Sequence, residues 1–417
     1  MNKKKEILVY ADWSGLNQPL LMGMLKASPS RGKEIFSFEY SEQWLKSGNT
    51  FLLDPELQLY GGQHFPRDEK LNFGVFLDSC PDRWGRVLME RREASLARKE
   101  NRPEKKLLES DFLLGVYDKH RMGALRFKLK EDEEFLNDDK NMASPPWTSL
   151  RELEHASKMI EQDNVHDKNY FNWISLLIAP GSSLGGARPK ASVLDHSNKL
   201  WIAKFPSIND KKNIGGWEMV AHILAHHSGI NVAEAKAQQF NSHHHTFLTK
   251  RFDRNEKGER IHFASALTML GYTDGAGHET GTSYLELAEF LIRHGADVNK
   301  DLEELWRRIV FNICIKNTDD HLRNHGFLLT ERGWKLSPAY DMNPNEYGTG
   351  LHLNISETDN SLDLDLALSV AEYFRLEKTA TKKIIQQIKH ATSKWRELAS
   401  NIGISKSEQD AMKKAFE

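Results

Sequence analysis

Cysteine is almost missing from this sequence: Cys80 and Cys314 are the only two in 417 residues. Two thiols cannot build a disulfide framework, so a reducing compartment and a cytoplasmic location are expected. Long apolar runs are missing as well, and no stretch approaches the length that spans a bilayer, which argues against a membrane partner. The basic start Met1-Asn2-Lys3-Lys4-Lys5 leads into Glu6 to Trp13, too short for the apolar region of a signal peptide; it reads as a strand. Nor does one charge dominate. Lysine and arginine total 57 against 59 aspartates and glutamates, a net charge of -2. That balance argues against a polyanion-binding surface over the whole molecule, though not against a local basic patch. No internal repeat is present.

What is there exceeds the size of one hydrophobic core, so two or three domains or lobes are expected in an α+β fold. Residues 1–130 form a small β-rich front module, with strand-like runs such as Ile35 to Tyr40 and a turn at Gly61-Gly62. Within it, Phe76 to Arg86 leads into a charged helix over Arg83 to Lys99, with apolar positions at Trp84, Val87 and Leu88. Residues 131–146 are acidic, polar and end in Pro145-Pro146, the composition of a linker. Residues 147–255 read as a mixed lobe of helix, glycine-rich loop and strands. Residues 256–417 read as a helical lobe, with amphipathic segments at Leu302 to Lys316 and Thr381 to Ala399.

The chemistry concentrates at Asn317-Thr318-Asp319-Asp320-His321-Leu322-Arg323-Asn324, followed by Tyr340-Asp341. An acid, an amide five positions on and a second acid follow the order used in phosphoryl transfer. There one acid accepts a hydroxyl proton, and the amide and second acid hold the metal that bridges nucleotide phosphates. Upstream, Gly181-Ser182-Ser183-Leu184-Gly185-Gly186-Ala187-Arg188-Pro189-Lys190 lets backbone N–H groups approach phosphate oxygens, and Lys190 adds a point charge. An ordinary helix-to-strand turn would use the same glycines, and the spacing matches neither a P-loop nor G-x-G-x-x-G. Lys204 ends the strand-like Leu200-Trp201-Ile202-Ala203-Lys204-Phe205, either facing water at an edge or reaching the α/β-phosphates. Glu218, early in the following helix, is a natural partner for Lys204 or simply an acid at a helix N-terminus. Phe247 to Arg254 closes the strand-rich part, where the backbone of Lys250 and Phe252 is placed to face an adenine edge. Each piece is weak alone; their order is that of a nucleotide-dependent phosphotransferase.

These residues resemble the HipA family of bacterial serine/threonine kinases, the toxins of two-gene toxin–antitoxin modules. The resemblance is carried by Ser183 to Lys190, Lys204, Arg251-Phe252-Asp253-Arg254, Asn317 to Asn324 and Ala339-Tyr340-Asp341. In the front module it rests on Asp78-Ser79-Cys80-Pro81-Asp82-Arg83-Trp84-Gly85-Arg86, so it spans nearly the whole chain. It implies an atypical two-lobe kinase-like fold using ATP and Mg²⁺, with Asp319 as catalytic base and Asn324 and Asp341 on the metal. Lys204 would hold phosphates, and Ser183, Gly185, Gly186, Ala187, Lys190, Glu218, Lys250, Phe252, His321 and Tyr340 would complete the nucleotide site. Ser183, or its neighbour Ser182, would be autophosphorylated, which ejects the loop by adding charge over the nucleotide phosphates. The expected partners are a protein substrate such as an aminoacyl-tRNA synthetase and a helix-turn-helix antitoxin, with DNA reached only through the latter. The same site in a small-molecule kinase, or in a weak nucleotide-holding co-repressor, are the rival readings.

Asp320 departs from the family, where a small residue is frequent, and so does Arg188-Pro189 before the loop lysine. His-Arg-Asp, Asp-Phe-Gly and Ala-Pro-Glu are all missing, so activation-loop control of the usual kinase type is not expected. Three consecutive histidines, His243-His244-His245, share no face in a strand or a helix and read as a polar loop, not a metal site. His226-His227 reads as a helix C-terminus. His321 is placed to brace the loop backbone or orient Asp341. Trp84, Trp201 and Trp306 read as core.

Overall fold

The computed structural model describes residues 4–48, 51–140, 143, 145–162, 169–177, 186 and 188–417. The chain forms two compact units, Met1–Ile208 with Asp253–Ala264, and Asn209–Phe252 with Ser265–Glu417. Both mix strands and helices, and the fold is α+β.

In the first unit, β1 (Lys5–Ala11), β2 (Leu20–Ser30), β3 (Lys33–Tyr40), β4 (Gln63–His64) and β5 (Leu125–Lys128) form an antiparallel sheet in the order β4-β3-β2-β1-β5. Alternation sets its inner face: Ile7, Val9 and Ala11 of β1 and Phe36 and Phe38 of β3 are buried while their neighbours are not. Four helices accompany the sheet, α1 (Glu42–Lys46), α2 (Gly74–Leu77), α3 (Arg83–Lys99) and α4 (Glu109–Gly115). The α3 helix covers the range its sequence suggests because Asp82 caps it, accepting a hydrogen bond from Gly85 N at 2.8 Å. Beyond come α5 (Leu150–Glu161), α6 (Tyr170–Leu177) and an antiparallel hairpin of β6 (Lys190–Leu194) and β7 (Leu200–Lys204). Within the stretch expected as a linker, Leu136 N donates to Phe127 O and Asn137 N to Val116 O, at 2.8 and 2.9 Å.

Arg121 organises the interior of this unit. Fully buried, its guanidinium donates to four main-chain carbonyls: Ser79 and Leu113 at 2.9 and 2.8 Å, Val116 and Leu136 at 3.1 and 3.0 Å. Burial pulls its pKa down to about 10, so it stays charged at neutral pH. The returning segment 253–264 is fastened to the same loop. Asp253 accepts from Gly123 N at 2.9 Å, Arg254 donates to Arg121 O at 3.0 Å, and Arg260 donates to Asp118 O at 2.6 Å. Burial pushes the Asp118 carboxyl up, but Arg260 and Arg126 beside it bring it below the usual carboxylate range.

The second unit starts with α7 (Ile214–His227), β8 (Ala235–Gln238) and β9 (Thr246–Lys250), the strands paired antiparallel. After β10 (Phe263–Ser265) come α8 (Ala266–Met269), α9 (Tyr284–His294) and α10 (Val298–Ile315), then the antiparallel hairpin β11 (Gly326–Thr330) and β12 (Gly333–Leu336). The chain ends in α11 (Leu364–Ser369), α12 (Lys378–Thr392), α13 (Trp395–Ile402) and α14 (Lys406–Phe416). Helix α10 buries Leu302, Leu305, Trp306, Ile309 and Val310, the spacing of one apolar stripe. The segment Thr381 to Ala399, read as one amphipathic stretch, is two helices. Lys394 interrupts it, and Trp395 then stacks on Phe416 with centroids 4.7 Å apart and planes 8° from parallel.

Replacing Arg121 with methionine keeps the bulk but strips four buried carbonyls of their donors. We expect a loss of roughly 3–5 kcal/mol in urea unfolding. A loss under about 1 kcal/mol would show that those carbonyls find other partners.

Candidate active site

The second unit builds the site around the end of α10. Lys316 takes a left-handed conformation (φ 48°) and ends the helix, with Asn317 N returning to Asn312 O at 2.9 Å. Asn317 is buried: its amide donates to Asn312 Oδ1 at 3.0 Å, and its own Oδ1 accepts from Asn343 N at 3.1 Å. One asparagine thus ties the loop to the helix behind it and to the Tyr340-Asp341 segment in front. Asn345 adds a second tie to Thr318 Oγ1 at 2.8 Å, and the chain crosses there so tightly that a Cβ on Gly348 would lie 2.3 Å from Thr318 Cγ2.

The two adjacent aspartates have opposite surroundings. Asp320 is buried, and its Oδ2 alone accepts three hydrogen bonds, from Tyr284 Oη and Asn312 Nδ2 at 2.6 Å each and from His325 Nε2 at 2.8 Å. Burial pushes this carboxyl up. The His325 charge and the hydrogen bonds from His325 and Tyr284 outweigh that and hold it below the usual carboxylate range. The same burial, with the Asp320 charge, raises Tyr284 well above the ordinary phenol value. Asp319 is exposed. Its main chain is fixed instead, since its carbonyl accepts from His321 N at 2.9 Å and from Asn324 Nδ2 at 2.8 Å. The carboxylate of Asp319 therefore projects from a rigid backbone, which is what a proton acceptor needs.

That bond orients Asn324. With its Nδ2 turned back to Asp319, its Oδ1 points the other way and is buried with no hydrogen-bond partner among the described residues. Asn343 Oδ1 is in the same condition, as is Nδ1 of His321, whose ring packs edge-on to His352 at 5.7 Å. Asp341 holds φ at 58°, a left-handed conformation that side chains adopt at a cost and that clusters at functional sites. Amide oxygens without partners beside a carboxylate suit a hard, oxygen-seeking cation such as Mg²⁺. Among the described residues, no group of three or more His, Cys, Asp or Glu is arranged to hold a metal.

Two other expected residues, Tyr340 and Phe252, meet beside this loop. Tyr340 donates its hydroxyl to Arg323 O at 2.7 Å, and its ring lies 5.6 Å from that of Phe252. Lys250 N, at the end of β9, donates to Glu234 O at 2.8 Å. Glu218 is buried in α7. In the first unit, Lys204 ends β7, and Lys190 forms an ion pair with Asp82 at 2.7 Å, both side chains 5% exposed. Gly186 is described with φ at 86°; Ser182, Ser183, Gly185 and Ala187 lie outside the described residues. His245 is buried and bonds Asn213, its Nδ1 2.7 Å from the Asn213 amide nitrogen, as a loop residue. Sequence reasoning did not reach Asn312, Tyr284, His325 or Asn343. Their signal is polarity inside or beside apolar segments, which says nothing of its partner.

Comparison places the chain. The family described as the HipA-like C-terminal domain matches residues 182–395, just over half of the sequence, and the chain belongs to that family. Across almost its whole length it has the fold of HipA from Shewanella oneidensis MR-1, solved as a toxin–antitoxin system with HipB and operator DNA. The TM-score is 0.63 over 98% of this chain and 94% of that one, at 17% identity, a likeness of fold. A Haemophilus influenzae protein named "Putative kinase" is 26% identical over 179 residues, 39% of this chain and 52% of that one. "Putative kinase Y4mE" of Sinorhizobium fredii is 30% identical over 155 residues, 35% of each chain. The chain thus spans about half the length of the first relative and about a third of the second. No helix among the described residues is long and apolar enough to cross a membrane.

Asp320→Asn is the test of the buried hub. Its folded carboxyl titrates below the unfolded value, so the charge stabilises fully above about pH 4 and is lost as acid protonates it. The variant should lose roughly 3 kcal/mol near pH 7 and much less near pH 3. Equal losses at both pH values in urea unfolding would mean that charge is not the cause.

Proposed function

We propose that this chain is a Mg-ATP-dependent serine/threonine protein kinase that acts as a HipA-like toxin. One observation carries the reading. Asn324 fixes the backbone of the exposed Asp319 with its amide nitrogen and leaves its amide oxygen buried, with no partner among the described residues, while Asp341 holds a left-handed conformation. A plain surface loop has no reason to leave that oxygen unsatisfied.

In this mechanism a substrate hydroxyl oxygen attacks the γ-phosphorus, the bond to the β–γ bridging oxygen breaks, and ADP leaves with the electron pair. Asp319 takes the hydroxyl proton. Asn324 and Asp341 would hold Mg²⁺, which would offset charge on the phosphates. Lys204 is assigned to the phosphates, with Glu218 as its partner, and the Lys250–Phe252 segment and Tyr340 to the nucleoside side. His321 is assigned to steadying the Asn324 turn. The kinase-like lobes of residues 147–255 and 256–417, with the front module of 1–130 and the linker of 131–146, are part of the same proposal. Ser183, or Ser182, is proposed as the autophosphorylation site. The protein substrate is proposed to be a translation factor such as an aminoacyl-tRNA synthetase. A helix-turn-helix antitoxin is the proposed restraint, supported by the HipB and operator DNA in the Shewanella complex.

Incubation with labelled Mg-ATP, alone and with cell extract, tests this. Asp319→Asn should lower label transfer about 10²–10⁴-fold, and Asp341→Ala should remove both transfer and growth arrest on expression. Transfer that persists in Asp319→Asn rejects the mechanism. Label found only on small molecules moves the reading to a metabolite kinase. Loss of self-label in Ser183→Ala but not Ser182→Ala places the modified serine.

A further inference from the structure

Strand β3 is covered along only part of its outer edge. On that side β4 meets it at Phe38 and Glu39 alone, and Lys33 to Ser37 run on beyond the pairing. The register with β2 shows which groups are left over. Arg31 and Gly32 both hold positive φ, 44° and 80°, and close a two-residue turn between the paired Ser30 and Lys33. Residues flanking such a turn exchange hydrogen bonds, and the pattern then alternates along the strand. Lys33, Ile35 and Ser37 therefore turn their main-chain groups towards β2. Glu34 and Phe36 turn theirs away, and on that side they have no main-chain partner among the described residues.

A groove of about 820 Å³ lies along this edge, lined by β3 itself, by Phe65 to Leu71 and by Lys106 to Glu109. Ile35, Phe65 and Leu71 present apolar surface there, each more than half exposed. The charges of the groove are unequal once the existing pairs are set aside. Glu34 is held by Ser110, Glu109 by Arg86, and Arg67, Glu69 and Lys70 belong to a cluster around Glu56. Arg31, Lys33 and Lys106 remain exposed and without an ion-pair partner among the described residues, against Asp68 alone.

We infer that this edge of β3 is a docking site for an extended, acidic segment of a partner protein, which joins the front sheet as an added strand. Main-chain hydrogen bonds to Glu34 and Phe36 hold the backbone of that segment. The three cations select its carboxylates, and the exposed apolar groups take the side chains between them. From Lys33 to Ser37 the open edge is about 17 Å long, room for roughly five residues of strand. A lone lysine guards an open edge against stray strands. Here three cations and exposed apolar side chains border a groove that a strand fits. Nothing in this assignment depends on the proposed kinase site.

Phage displaying random peptides of about ten residues are selected on the full chain, and the enriched peptides are synthesised. Sequences that alternate acidic and apolar residues should be enriched. Residue-resolved hydrogen exchange then reads the edge directly. In the free chain the amides of Glu34 and Phe36 should exchange faster than those of Ile35 and Ser37, and saturating peptide should slow them roughly tenfold or more. Lys33→Glu combined with Lys106→Glu, both at exposed positions, should weaken the acidic peptides roughly tenfold and keep the circular dichroism of the wild type. No enrichment, or enriched peptides without an acidic excess, overturns the inference. So does binding that leaves Glu34 and Phe36 exchanging as before, since the peptide then lies elsewhere. Acidic peptides that bind the double variant as tightly as the wild type overturn it as well. If the double variant misfolds, the exchange measurement on the wild type still decides.

Discussion

A single carboxylate oxygen, Oδ2 of Asp320, joins α9 through Tyr284, α10 through Asn312 and the start of β11 through His325, in three bonds of 2.6 to 2.8 Å. Everything proposed for the neighbouring loop depends on that junction. A buried carboxylate is costly unless its lone pairs are filled, and here a phenol, an amide and an imidazole fill them. The charge is thereby trapped in place, and with it the chain on either side: Asp319 before it and His321 after it have nowhere else to go. Asn324 completes the arrangement by returning its amide to Asp319 O. The loop is rigid because its polar groups are spent on one another, except at the few atoms where a ligand would belong.

The first unit uses the inverse device. There a buried cation, Arg121, collects four carbonyls from residues 79 to 136, with the Arg260–Asp118 contact beside it. Backbone carbonyls in irregular segments need donors as much as helix ends do, and a guanidinium supplies several in a fixed plane. The motif Arg251-Phe252-Asp253-Arg254 takes its meaning from this. Asp253 accepts from Gly123 N and Arg254 donates to Arg121 O, so half of a motif that carries the family resemblance is a fastening for the returning chain.

Local features of the fold were legible in the sequence and distant pairings were not. The α3 helix could be read because its cap, its first turn and its apolar positions are neighbours in the chain. Trp84, Trp201 and Trp306 are buried as their apolar settings suggested. The proposed order of loop, lysine, glutamate, base, amide and acid could be drawn from the sequence because phosphoryl transfer constrains residue type and order together. By contrast, the break at Lys394 carries neither proline nor glycine, and just beyond it Trp395 stacks on Phe416, twenty-one residues on. Tyr284 lies 36 positions from Asp320, and nothing near it announces an acid partner. Lys190 is the sharpest case. Beside glycines it reads as a phosphate ligand, and only the fold reveals the anion already bound to it.

Adjacent aspartates make a common puzzle in sequence, and the resolution here is geometric. Here the loop turns Asp320 inward and leaves Asp319 facing solvent. An acid turned inward must find donors, and once it has three its basicity falls and its lone pairs are spent. It can then no longer accept a proton from a hydroxyl. The outward acid keeps access to solvent, while the inward one supplies the stiffness that keeps it in place. The second aspartate is therefore not a spare base: it supplies a buried charge that holds the loop, and this ties the position of Asp319 to the protonation state of its neighbour.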